Sequence, residues 1–197
     1  NLANNNSLAN ITALPSSVSG GAMTLLATQT ASGSANLSFT SGIDSTYDEY
    51  VFKYYNIHPA TDNADFEFNM TIDGTNWNVT KTTTTFYSYH MEDNSGAGLT
   101  YEAAYDLAQG TGFQYLAADI GNGNDESASG SMVLYNPSST TFVKHFLHSG
   151  NRYVGSNISA NDFVAGYGNT TSSVTGIQFK MSSGNIDSGV IKLYGIS

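Results

Sequence analysis

Apolar residues recur at every second position over much of this chain. Phe66, Phe68, Met70 and Ile72 alternate with polar neighbours, and Ala35, Leu37 and Phe39 do the same. A period of two puts successive side chains on opposite faces, so each run predicts a strand with one buried face. Similar patterning predicts strands over 23–28, 50–57, 82–90, 112–118, 130–135, 141–148 and 174–181. The closing run Val190-Ile191-Lys192-Leu193-Tyr194 is rich in β-branched and aromatic residues, which places the C-terminal end inside a sheet. Turn-forming clusters separate the runs at 41–45, 121–125, 136–139 and 166–169. Asp73-Gly74, followed by Trp77 and Val79, predicts a type I′ hairpin. Segment 101–109 reads as a short helix or a loop. Short strands without βαβ spacing or a fixed-period repeat predict an all-β fold, an antiparallel β-sandwich of jelly-roll type.

The first residues break this grammar. Residues 1–20 are uncharged and Asn-rich, with Leu2, Leu8, Ile11 and Leu14 spaced too widely for a regular element and Pro15 closing the run. They predict an extended N-terminal arm with four apolar anchors, or a disordered tail, ahead of a sandwich domain over 21–197. Nothing near Asn1 reads as a signal peptide, so either a short leader was removed or the chain starts further upstream.

Composition narrows the partners. The 197 residues are 40% hydrophobic, with 13 Tyr and 10 Phe, enough for one stapleless core. Charged residues are only 11%, against roughly 25% in ordinary soluble proteins. Net charge is −10, and the six basic residues stand singly along the chain. Nucleic-acid affinity requires clustered cations that displace counterions, so nucleic acid and anionic membrane are excluded as partners. There are no cysteines, hence no disulfide framework and no thiolate metal site. No apolar run approaches the ~20 residues of a membrane span.

Candidate chemistry is sparse. His145 and His148 lie three apart on a predicted strand and therefore point to opposite faces, which forbids a shared metal without a bulge. His58 precedes Pro59 and reads as an extended strand end; His90 stands beside Glu92 and Asp93. Asp119, Asn122, Asn124, Asp125 and Glu126 offer several oxygens within one loop, as calcium requires, although the spacing departs from an EF-hand and a solvated hairpin tip is the simpler reading. Asp44, Asp48 and Glu49 form a second acidic turn. Among 16 acidic residues some pair reaches a glycosidase separation by chance, and no nucleophile elbow, zinc helix or phosphate loop is present, so no enzyme, no catalytic residue and no cofactor is expected. Tyr54, Tyr55, Trp77, Tyr87, Tyr89, Tyr101, Tyr105, Tyr153 and Tyr167 are candidates for stacking on sugars, although cross-strand packing is the commoner use of strand tyrosines and Trp77 reads as core.

Four stretches carry a resemblance. They are Ile11-Thr12-Ala13-Leu14-Pro15, Phe39 to Lys53 running on to Asn56-Ile57-His58-Pro59-Ala60, Leu134-Tyr135-Asn136-Pro137-Ser138-Ser139-Thr140-Thr141, and the ending Ser188 to Ile196. Together they resemble virion structural proteins of marine tailed bacteriophages, β-sandwich proteins on the particle exterior. The resemblance implies a head decoration (cement) or tail-fibre subunit, located on the extracellular particle surface, with no catalytic residues to carry over. An arm with spaced anchors suits docking to a neighbour, so the expected partners are other copies, as a homotrimer, and other virion proteins, bound through Leu2, Leu8, Ile11 and Leu14. The alternative is a glycan-binding adhesin of a tail fibre contacting host polysaccharide, and a third reading is a glycan depolymerase.

Overall fold

The computed structural model describes residues 23–196; the arm residues Leu2, Leu8, Ile11 and Leu14 lie outside the described residues. Thirteen strands follow in order: β1 Thr24–Ser34, β2 Leu37–Phe39, β3 Glu49–Pro59, β4 Ala64–Thr71, β5 Lys81–Met91, β6 Ala97–Tyr101, β7 Ala108–Gly110, β8 Gln114–Ile120, β9 Ala128–Tyr135, β10 Lys144–Val154, β11 Ile158–Gly168, β12 Gly176–Met181 and β13 Ile186–Ile196. The only helical turn among the described residues is a 3-10 turn at Ala103–Tyr105.

Two sheets emerge from the pairing, which is antiparallel throughout. The larger runs β1-β13-β3-β9-β10-β11-β5, with β6 and β7 both on the far edge of β5; the smaller runs β8-β4-β12-β2. They join at a single pairing, Val154 with Ile120. Eight strands, β1, β2, β3, β4, β8, β9, β12 and β13, form the basic fold. Numbered one to eight, they stand in the order 1-8-3-6 and 2-7-4-5. That is a jelly roll. Strands β10, β11 and β5 widen the larger sheet beyond it.

The core fills the gap between sheets. From the larger sheet come Tyr50, Phe52, Tyr54, Met132, Leu134, Phe146, Ile191 and Leu193; from the smaller come Phe66, Phe68, Met70, Leu116, Ile177 and Phe179. Phe66 stacks on Phe179 at 5.5 Å, and Phe68 meets Phe146 edge-on at 4.9 Å. Edge and offset contacts of this kind add about 0.5–1.5 kcal/mol each to the area buried. The closing strand β13 sits between β1 and β3, as its composition predicted.

Several local predictions fail for identifiable reasons. Asp73-Gly74 makes no hairpin. Only Gly74 has a positive φ, whereas a type I′ turn needs two, and Asp73 turns its carboxylate on the chain ahead, accepting from the Thr75 and Asn76 N–H groups. Residues 72–80 then fold over the outer side of β4, where Asn69 donates to the Trp77 carbonyl at 2.6 Å. Trp77 is therefore half-buried beside the core rather than in it. The cluster 166–169 begins inside a strand. A Cβ at Gly166 would lie 2.6 Å from the Thr82 carbonyl oxygen, so glycine there serves close packing. Strand β10 starts at Lys144 and runs to Val154, later and further than 141–148. Segment 101–109 holds the 3-10 turn and the start of β7.

Candidate functional site

The widened part of the larger sheet has two faces, and both are unusual. Its inner face continues the core side of β10, β11 and β5 toward the edge strand β8 of the smaller sheet, and there several buried inward residues are polar, among them Thr83, Thr85, Arg152 and Asp162. Along β10, burial alternates strictly, so Lys144, Phe146, His148, Gly150 and Arg152 point inward and His145 outward. His145 and His148 thus occupy opposite faces, as their spacing required. Register carries the inward row from Arg152 to Ala160 to Tyr89, and the next from Gly150 to Asp162 to Tyr87.

Arg152 Nε donates to Asp162 Oδ2 at 2.8 Å, and both residues are buried. Burial pushes the Asp162 carboxyl up to about 6 against the pull of the guanidinium. The Arg152 guanidinium lies 5.4 Å from the centre of the Tyr87 ring. Deeper in, Tyr54 Oη and His148 Nε2 are 2.7 Å apart, and burial lowers the His148 ring to about 3, so it is neutral. Gly130 and Gly150 make room for that pair: a Cβ on either would fall within 2.6 Å of Tyr54 Oη.

Arg152 and Tyr87 line a cleft of about 350 Å³ together with Tyr89, Thr100, Asp119, Val154, Ser156, Ile158 and Ala160. Asp119 comes from β8 on the opposite sheet and is exposed. It accepts from Tyr105 Oη at 3.2 Å while its N–H donates to Asp65 Oδ1 at 2.8 Å. Asp119 also holds a left-handed φ of 50°. Burial raises the Asp65 carboxyl above the ordinary range.

The outer face of the same strands carries apolar side chains. One register row reads Leu25, Tyr194, Val51, Val133, Leu147, Ala165 across β1, β13, β3, β9, β10 and β11. Beside it Phe163 stacks on Phe86 at 4.9 Å, next to Tyr101 of β6. Leu147 is 51% exposed, Leu25 53% and Tyr101 61%. A groove of about 380 Å³ runs between Phe86, Val133, Leu147 and Phe163. Lys53 and Lys192 lie opposite each other in the neighbouring register row, in line with Ser131, each near a tyrosine ring.

The other sequence candidates scatter. Glu126 accepts from the N–H of Gly123 in its own loop, and its carbonyl lies 2.7 Å from His58 Nδ1. Asp119 faces Tyr105 instead of that loop, so the five oxygens considered for calcium do not converge; no group of three His, Asp or Glu side chains does so among the described residues. His90 is exposed on β5, and Asp44 caps Thr46 and Tyr50. Of the nine aromatic candidates, Tyr87 and Tyr89 share the cleft, Tyr105 reaches its rim through Asp119, Tyr54 is core, and Tyr55 and Tyr101 belong to the outer face. Arg152 and Asp162 were missed because ten residues separate them and only the β10–β11 register brings them together. The hairpin turn Gly155-Ser156-Asn157 was the available clue.

No family model matches this chain, and neither a curated protein nor a solved structure is similar to it.

Proposed function

We propose that this protein is a structural subunit of a bacteriophage particle exterior, a head decoration or fibre protein that packs against further copies of itself. The observation that supports this is the apolar row on the outer face of the larger sheet. Antiparallel sheets with one solvated face normally alternate polar residues onto it. Here Leu25, Val133, Leu147, Phe86 and Phe163 stand there instead, spread over strands that at ~4.8 Å spacing span about 30 Å. A patch of that length, rimmed by polar residues, suits a protein–protein contact. In this reading, residues 1–20, with Leu2, Leu8, Ile11 and Leu14, tether the subunit to the particle, and the assembly is a homotrimer.

The test has two arms. Light scattering should give an oligomeric mass for the full chain, and the double substitution Leu147→Asp with Phe163→Asp should give a folded monomer. Removal of residues 1–20 should leave a folded chain that no longer joins particles. A monomeric parent chain, or normal incorporation of the truncated chain, overturns the corresponding part.

A further inference from the structure

We propose that the inner cleft between β5, β10 and β8 is a saccharide-binding site that takes one neutral sugar ring of a polysaccharide. This goes beyond an assembly role. The cleft lies on the opposite side of the larger sheet from the apolar row, so the two surfaces can be occupied together and tested apart.

The first support is an incompletely used buried cation. Arg152 is 3% exposed, and of its five N–H donors only Nε has an acceptor among the described residues, Asp162 Oδ2. The buried polar atoms without partners among the described residues are Thr85 Oγ1, Asp106 Oδ1, His148 Nδ1 and Thr175 Oγ1. The terminal nitrogens of Arg152 are not among them, so they reach the water of the cleft. A planar fork of donors, fixed by Asp162 on one side and by the Tyr87 ring on another, is set to meet two adjacent oxygens.

The second support is the wall opposite. Asp119 brings a carboxylate to the same cleft from the other sheet, with only Tyr105 Oη as a side-chain donor among the described residues. Its left-handed φ costs energy for a residue with a side chain, and such strain collects at binding sites. Donor fork and acceptor carboxylate facing one space match the paired hydroxyls of a sugar, each of which both donates and accepts.

The third is an apolar floor. Tyr89 packs close against Gly98 of β6, where a Cβ would sit 3.1 Å from Cε1, and its ring lines the cleft. Tyr87 and Tyr89 stand 6.1 Å apart. Aromatic faces accept the C–H side of a pyranose, and about 350 Å³ is at the low end of ligand sites, enough for a single ring. Charge selects the class. Asp162 already neutralises Arg152, while Asp119, Asp65 and a net charge of −10 repel an anionic sugar. The ligand is therefore neutral.

The experiment titrates the full chain with maltotriose, cellotriose, mannotriose and xylotriose, and with trigalacturonate as the acidic counterpart, following ligand saturation-transfer signals. The variants are Tyr89→Ala and Asp119→Asn; asparagine tolerates the left-handed φ, so the second leaves the fold intact. At least one neutral trisaccharide should bind saturably, and each variant should weaken it about tenfold with an unchanged circular dichroism spectrum. Arg152 is avoided because its loss would leave Asp162 buried and unpaired. Failure of every neutral trisaccharide at about 10 mM, tenfold above a millimolar Kd, overturns the proposal. So does tighter binding of trigalacturonate, or binding that both folded variants retain in full.

Discussion

His148 should make the fold sensitive to acid in a way that one substitution can isolate. Burial lowers its pKa from 6.5 to about 3, so the folded protein keeps it neutral where the unfolded chain protonates it. A depressed folded pKa gives stability that is complete above pH 6.5 and lost as pH falls toward 3. Each unit in that window costs about 1.4 kcal/mol, so acidification from pH 6.5 to 4 removes about 3 kcal/mol through this ring alone. Asp162 works in the opposite sense. Its folded pKa is raised from 3.8 to about 6, so its contribution is complete below 3.8 and lost as pH rises through 6. The two nearly cancel between pH 4 and 6 in the parent protein.

His148→Gln separates them, because the amide keeps a polar partner near Tyr54 Oη and does not titrate. At pH 7 the variant is less stable than the parent by a fixed cost of imperfect packing. Between pH 6.5 and 4 the gap should shift by about 3 kcal/mol in favour of the variant. Urea unfolding followed through Trp77, the sole tryptophan, at four pH values and with unchanged m-values measures this. A gap that stays constant with pH to within about 0.5 kcal/mol refutes the reasoning.

Gly150→Ala should cost about 3 kcal/mol, since its Cβ would sit 2.2 Å from Tyr54 Oη; adding Tyr54→Phe should recover more than about 1 kcal/mol, and additive thermal denaturation costs would locate the strain elsewhere. Asn136 turns the chain out of β9 with a φ of 42°, so Asn136→Ala should cost about 1–2 kcal/mol in urea unfolding and Asn136→Gly only a few tenths. Equal losses would remove backbone conformation as the cause. Lys81 is fully buried, and burial lowers its amine from 10.5 to about 7. The unfolded chain then holds a proton that the folded one has shed, so stability should rise by about 1.4 kcal/mol per unit above pH 7; Lys81→Met should flatten that slope in chemical denaturation at pH 7, 8 and 9.

What the sequence disclosed depended on whether inward positions were apolar. Phe66, Phe68 and Met70 face the opposite sheet, and their alternation located β4 directly. Strand β11 is as long as β10 yet escaped notice, because its inward residues are Ala160, Asp162, Val164, Gly166 and Gly168, a series with little apolar period. Asparagine marks several of the reversals. Asn63, Asn94, Asn136 and Asn157 supply left-handed turns between strands, and Asn56 sits at the pairing irregularity within β3. For the cleft, Tyr87 and Tyr89 were two of nine aromatic candidates, while Arg152 looked like one more scattered cation. Its meaning comes from register, which no local pattern encodes.

The cleft and the apolar row have one physical origin. Eight strands complete the jelly roll, and β10, β11 and β5 then extend one sheet by about 14 Å at ordinary strand spacing. The smaller sheet opposes part of that extension through its edge strand β8: Val154 pairs with Ile120, Gln114 accepts from Thr83 of β5 at 2.6 Å, and Asp119 lines the cleft with Arg152. Beside that edge strand the inner face is only partly lined by apolar side chains, so polar groups stand there, and the buried charges among them are paired. That is where Arg152, Asp162, Tyr87 and Tyr89 are found, while Phe52, Phe66 and Phe179 fill the part that is covered. The outer face follows the reverse logic. It has no layer of its own chain, among the described residues, over Leu147 and Phe163, so those side chains gain burial only when another molecule supplies it. Widening one sheet of a sandwich thus yields a polar hollow on one side and an apolar ledge on the other, on the same three strands.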